Sequence, residues 1–149
     1  MQSPEVIRGL EQYDSAQKIL KGAKNERWPY PKTFELLKEV GVESYIVGFV
    51  SGYDASYYGI DGGLLYKEEQ PEGYHNIQAA KQFSAAGVKD AIVRHMRDKT
   101  PFLDFLKDIA NAGSSHYIVS MDERTVTYYN DSESQCHVEQ VPAWDWNQK

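Results

Sequence analysis

The sequence predicts an α+β fold: two halves, each a helix followed by a three-strand meander, sharing one antiparallel sheet with the helices mainly on one face. Three observations predict it. An amphipathic run beginning at Phe34 ends at Gly41, and a second, beginning at Phe102, ends at Gly113. A Tyr-Ile-Val strand follows each glycine, Tyr45-Ile46-Val47 in the first half and Tyr117-Ile118-Val119 in the second. A tyrosine pair, Tyr57-Tyr58 or Tyr128-Tyr129, closes the next strand.

The first helix starts at Ser3-Pro4, an N-cap and first-turn pair, and carries Val6, Leu10, Tyr13 and Leu20 at near-helical spacing as far as Gly22 or a little beyond, with a kink expected near Asp14-Ser15. Lys18, Lys21 and Lys24 form a stripe on it, read as a solvated face rather than an anion site. Trp28-Pro29-Tyr30-Pro31 cannot continue that helix, and Trp28 is expected to lid the core. A second helix, 32–40, turns Phe34, Leu37 and Val40 inward and stops at Gly41, the left-handed cap. Strands follow at 44–50, 55–60 and 64–67, with Asp61-Gly62-Gly63 as the tight turn before the last. Gln70 to Gly73 breaks the chain, and 74–81 reads equally as strand or helix. Ser84 caps a helix reaching Arg97, with Val88, Ala91, Ile92 and His95 on one face. This helix stands between the halves. Thr100-Pro101 restarts a helix carrying Phe102, Phe105, Leu106 and Ile109 inward, and the second meander is 116–121, 125–130 and 135–141. One domain, 1–142, and an aromatic tail, 143–149, are expected.

Alternation assigns faces. Val126 and Tyr128 point one way and Thr125, Thr127 and Tyr129 the other; by the repeat, Ala55 and Tyr57 face inward and Ser56 and Tyr58 outward. The strand Tyr45 to Val50 is apolar on both faces, so its outer face is expected to be covered by a helix, the tail or a second subunit.

Bulk composition narrows the function classes. The chain has 149 residues and a formal charge of −6, which argues against a general nucleic-acid binder because phosphate neutralisation needs surplus Lys and Arg. A lone Cys136 excludes an internal disulfide and suits a reducing compartment. No signal peptide or membrane-length apolar run is seen, so a cytoplasmic protein with no membrane partner is expected. Hydrophobic residues at 41% are ordinary; 11 tyrosines are the excess, and tyrosine suits half-buried strands.

Taken together, the run Phe34 to Val42 with Tyr45, Tyr57-Tyr58-Gly59, the stretch His95 to Phe102, and Thr125 to Tyr129 through Val138 to Pro142 resemble the YbcV-like family of bacterial and prophage-encoded proteins, over about Asp14 to Pro142. The resemblance implies a small α+β domain, often in phage-derived contexts, and brings no established activity. The family's histidine matches His95. Where relatives tend to carry a glycine ending the middle helix this chain has Asp98, a residue that tolerates the left-handed turn.

The familiar chemistries find no support. Cys136 and His137 are strand neighbours and project to opposite faces. His75, His95, His116 and His137 never fall at a metal-ligand spacing, no phosphate loop or nucleophile elbow occurs, and the turn carboxylates are explained by turn geometry. No metal and no cofactor are expected, and no catalytic motif is found. Two features remain. His95 on the apolar face of its helix is either a satisfied core imidazole or, beside Tyr58 or Tyr129, part of a small-molecule pocket. Trp144 and Trp146 either fold back or anchor an interface. The first reading is therefore a non-catalytic interaction or accessory module, a homodimer or bound to a protein partner; the alternative is a small-molecule-binding protein or enzyme with a Tyr- and His-lined pocket.

Overall fold

Six strands of five residues, β1 (Ser44–Gly48), β2 (Asp54–Tyr58), β3 (Leu64–Glu68), β4 (His116–Ser120), β5 (Thr125–Tyr129) and β6 (Cys136–Gln140), make one antiparallel sheet in the order β3-β2-β1-β4-β5-β6. Four helices accompany it: α1 (Pro4–Glu26), α2 (Tyr30–Glu39), α3 (Ala85–Asp98) and α4 (Phe102–Asn111). The fold is α+β. The computed structural model describes the backbone of residues 4–26, 28–50, 52–59, 62–68 and 77–145, and side chains from residue 15 onward within these ranges. Ser3, Ile60, Asp61 and the first part of the ambiguous 74–81 segment lie outside them, as do the side chains of Val6, Leu10 and Tyr13; residues 77–80 are neither strand nor helix.

Local chemistry sets the boundaries. Pro29 and Pro101, both at φ −57, precede α2 and α4 and fix the chain's entry into each. Both helices run out through one more residue into Gly41 (φ 98) and Gly113 (φ 97), conformations that cost an L side chain about 1–2 kcal/mol. Ser84 caps α3 by accepting from the Gly87 amide at 3.0 Å. At the other end of α3 the left-handed residue is Lys99 (φ 51), not Asp98: the helix continues one residue further, and Asp98 there binds the Arg97 guanidinium.

The centre of the sheet shows how the halves are related. Where β1 pairs with β4, Ile46 faces Ile118, each other's counterpart in the repeat. A pseudo-two-fold axis passes between them. The Ile46-to-Ile118 spacing also relates Gly41 to Gly113, Pro29 to Pro101 and Glu26 to Asp98, the last residues of α1 and α3. The α3 helix is thus the counterpart of α1, and the repeat is two helices plus a meander, larger than the one-helix unit predicted. Packing agrees: α1 lies against α2 and β3, and α3 against α4 and β6. Little residue identity survives between α1 and α3, which is why the sequence pattern begins only at the second helix of each half.

The core lies between sheet and helices. Phe34 and Leu37 of α2, Leu106 and Ile109 of α4, and Val47 and Val119 of the central strands are fully buried. On the opposite face one transverse row runs Lys67, Ser56, Ile46, Ile118, Thr127, Val138. Ile46 is 38% and Val138 49% exposed, so among the described residues no helix covers this face, one of the three covers expected for it. No described helix is long and apolar enough to cross a membrane.

Candidate functional site

Inward-pointing positions of the four central strands bring Tyr45, Tyr57, Tyr117 and Tyr128 onto one surface, because each lies at an in-facing position and pairs across the ladder, Tyr45 with Tyr57 and Tyr117 with Tyr128. Above them the chain entering α2 and the α3–α4 corner do not close. They leave a cavity of about 730 Å³, within the range of small-molecule sites. Its walls come in pseudo-symmetric pairs: Leu20 and Ile92, Pro29 and Pro101, Tyr30 and Phe102, Tyr45 and Tyr117, Tyr57 and Tyr128. The cavity therefore straddles the axis and belongs to both halves.

The tyrosines form a connected aromatic wall. Tyr45 and Tyr57 stack with ring centroids 4.6 Å apart, Tyr117 and Tyr128 lie tilted at 5.3 Å, and the Tyr30 and Tyr45 hydroxyls hydrogen-bond to each other. Tyr30 is partly exposed as a residue while its hydroxyl reaches that of buried Tyr45. Burial raises all five phenols well above their usual range; neighbouring tyrosines raise Tyr45, Tyr57, Tyr117 and Tyr128 further, because each new phenolate would sit in its neighbours' field, while the hydrogen bond with Tyr45 pulls Tyr30 back. At neutral pH they are neutral donors and acceptors, not bases. This wall can stack on an apolar or flat ligand and hydrogen-bond its polar atoms.

Two ionisable groups break the uniformity. Glu68, on the last position of β3, is largely buried; that burial raises its pKa, while a hydrogen bond from Tyr53 and the charge of Lys24 draw it back. His95 lies across the cavity, stacked on Phe105 at 4.6 Å with Nδ1 2.8 Å from Thr100 Oγ1. Burial lowers its pKa against the opposing pull of Asp108 and Thr100, so the ring is neutral near pH 7.

Of the residues singled out from the sequence, His95 lines the cavity and Tyr58 and Tyr129 do not. They sit on the outer face: Tyr58 in a shallow depression with Ile46 and Ser56, Tyr129 stacked on His116 at 5.4 Å. The physical reason is the strand period of two, which sends the first tyrosine of each pair, Tyr57 or Tyr128, inward and the second outward. The alternation that turns Tyr57 and Tyr128 inward thus puts those two, and not Tyr58 and Tyr129, on the His95 side of the sheet. Glu68, Tyr53 and Tyr30 were missed because they flank the repeat's motifs. Trp144 is half-buried and Trp146 lies outside the described residues. Register places Cys136 opposite Tyr129 and His137 opposite Tyr128, on different faces. Among the described residues no three His, Cys, Asp or Glu side chains gather as a metal site would require.

Comparison with known proteins adds a family and no activity. The model of a family described as "Protein of unknown function (DUF1398)" matches residues 17–140, and the chain belongs to that family. No curated protein matches the chain.

Proposed function

For a member of a family whose description carries no activity, we propose that the protein is a small-molecule-binding module whose site is the tyrosine-walled cavity on the pseudo-two-fold axis. The observation that carries this is the cavity itself: about 730 Å³ left open beside a core in which Phe34, Leu37, Leu106 and Ile109 are fully buried. A protein selected only for stability gains by filling such a space, since empty volume forfeits packing contacts. Neutral phenols, a neutral imidazole and aromatic faces suit an organic ligand with an apolar body and a few polar atoms. Kinship with the YbcV-like family and phage-derived contexts is part of the same reading, supported by the residues quoted for that resemblance; a cytoplasmic, single-domain protein is also part of it, supported by the lone Cys136 and the 149-residue length.

The test is a fragment screen of one- and two-ring aromatic compounds by protein-observed NMR. Binders should shift Tyr45, Tyr57, Tyr117, Tyr128 and Trp28 together, leaving Tyr58 and Tyr129 unmoved. A screen with no binder, or one whose shifts fall on the outer face, overturns the assignment.

The second reading, an interaction module, is favoured by the exposed Ile46 and Val138 with Ile118 between them on the outer face. Under it the chain is a homodimer or binds a protein partner, and Ile118→Lys should convert a sedimenting dimer into a monomer. A wild-type monomer at all concentrations removes the homodimer.

A further inference from the structure

Two carboxylates occupy matching places in the two meanders. Glu68 pairs with Ala55 on β2, and Glu139 pairs with Val126 on β5. Their surroundings differ. Glu139 is neutralised by Lys89 of α3 at 2.7 Å, and His137 lies 3.5 Å away. The α1 position matching Lys89 is Gln17, so the first half offers no cation there. Among the described residues no Lys, Arg or His nitrogen comes within ion-pair distance of Glu68; Lys67, its neighbour, points to the outer face and pairs with Asp54 at 3.3 Å. Glu139 is outside the cavity and Glu68 lines it. Tyr57 stands beside it on the same wall, with Tyr66 tilted at 5.9 Å from the Tyr57 ring.

We propose, resting on the cavity reading above, that the ligand is an organic cation, a protonated or quaternary amine with an apolar body, whose charge sits at the Glu68 carboxylate against the Tyr53 and Tyr57 rings while its body fills the space toward Phe102 and Tyr117. The physical argument is complementarity. A largely buried carboxylate that has a hydrogen bond from Tyr53 and the field of exposed Lys24 but no ion pair is costly, and a cation in the cavity offsets that cost while the tyrosine faces add cation–π attraction. The lining lysines, Lys24 and Lys99, are exposed at the rim, where water already solvates them. Lys24 draws the Glu68 pKa down from there but forms no ion pair with it. Glu68 is the one carboxylate among the described lining residues.

The experiment measures Kd on the full chain for three probes of nearly one shape: benzyltrimethylammonium, its neutral carbon isostere neopentylbenzene, and the anion benzylsulfonate. The cation should bind at least about tenfold more tightly than the neutral isostere, since a carboxylate and aromatic faces both favour it. Glu68→Gln should abolish that preference and Glu139→Gln should keep it, with folding of both verified from their NMR spectra. Equal binding of cation and isostere, tighter binding of the anion, or a preference that survives in folded Glu68→Gln overturns the inference and leaves the cavity reading intact. Should Glu68→Gln not fold, the three-probe comparison on the unmodified protein decides alone. Failure of all three probes to bind, together with an empty fragment screen, removes the cavity reading and the inference with it.

Discussion

The two halves of the molecule share a framework and differ in chemistry. Pro29 and Pro101, Gly41 and Gly113, Tyr45 and Tyr117, and Tyr57 and Tyr128 occupy matching places and build matching backbone. Around the cavity the pairs diverge: Ala23 matches His95 and Trp28 matches Thr100, while cavity-lining Glu68, which has no ion pair among the described residues, matches Glu139, which lies outside and is salt-bridged. Duplication supplies a symmetric vessel, and departures from symmetry supply polarity. A ligand seated on the axis would otherwise meet identical walls and have two equivalent orientations.

The comparison can be broken or sharpened by experiment, beginning with the shared core. Leu37 and Ile109 are matching, fully buried residues of α2 and α4. Truncating either to Ala should cost about 3 kcal/mol, and the two costs should agree within about 1 kcal/mol if the halves unfold as one unit. A biphasic denaturation curve for one variant alone would show halves of independent stability. Next come the turns. Gly113 combines φ 97 with the chain at 82–83, where an added Cβ would lie 2.5 Å from the Gln82 carbonyl oxygen and 2.6 Å from Phe83 Cα. Gly62, at φ 74, has nothing within 4 Å. Chemical denaturation should therefore give about 3 kcal/mol or more for Gly113→Ala, against about 1 kcal/mol for Gly62→Ala.

Smaller effects test the asymmetry. The folded-state pKa of His95 lies below its unfolded value, so the neutral ring's contribution is intact above about pH 6.5 and is lost as pH falls through the folded pKa. The stability difference between wild type and His95→Gln should shift against the wild type as the pH is lowered from 7 to 5; a difference independent of pH would place the ring in water. The sign reverses for Glu68, whose folded pKa is raised: its contribution is greatest below its unfolded pKa and is lost as pH rises through the folded one. Melting at pH 7 should show Glu68→Gln stabilised by a few tenths of a kcal/mol and Glu139→Gln destabilised by up to about 1 kcal/mol, because only the second removes a salt bridge. Equal signs would erase the distinction between the two carboxylates.

Much of the architecture was legible because short-range chemistry sets it. Prolines before helices, glycines after them and the alternation around Tyr45 and Tyr117 read directly as elements. The Ser84 cap also stands where expected. What escaped was longer-range or degenerate. The kinship of α1 and α3 is carried by position, since their contact residues have drifted to Leu20 and Ile92 or Ala23 and His95. The cavity needs knowledge of what the helices fail to fill, which no local pattern encodes. Its polarity depends on Glu68, whose meaning lies in Lys89 being matched by Gln17. Only His95 carried a local signal, a polar ring on an apolar helical face.

The seam between β1 and β4 has a consequence for assembly. It is an ordinary antiparallel strand pair between two units that need not share a covalent chain, since the pairing is self-complementary about Ile46 and Ile118. A protein cut in the 69–84 connection presents two pieces with bare strand edges, and such edges seek partners. On mixing, the expected outcomes are recovery of this sheet from unlike pieces and two-fold pairing of like ones, which sedimentation of the separate and mixed pieces would tell apart. Tethering favours the mixed pair by raising local concentration, and that pair alone juxtaposes Glu68 with His95 across one cavity. The connection thereby preserves the unlike walls of a cavity whose framework would be equally content with identical parts.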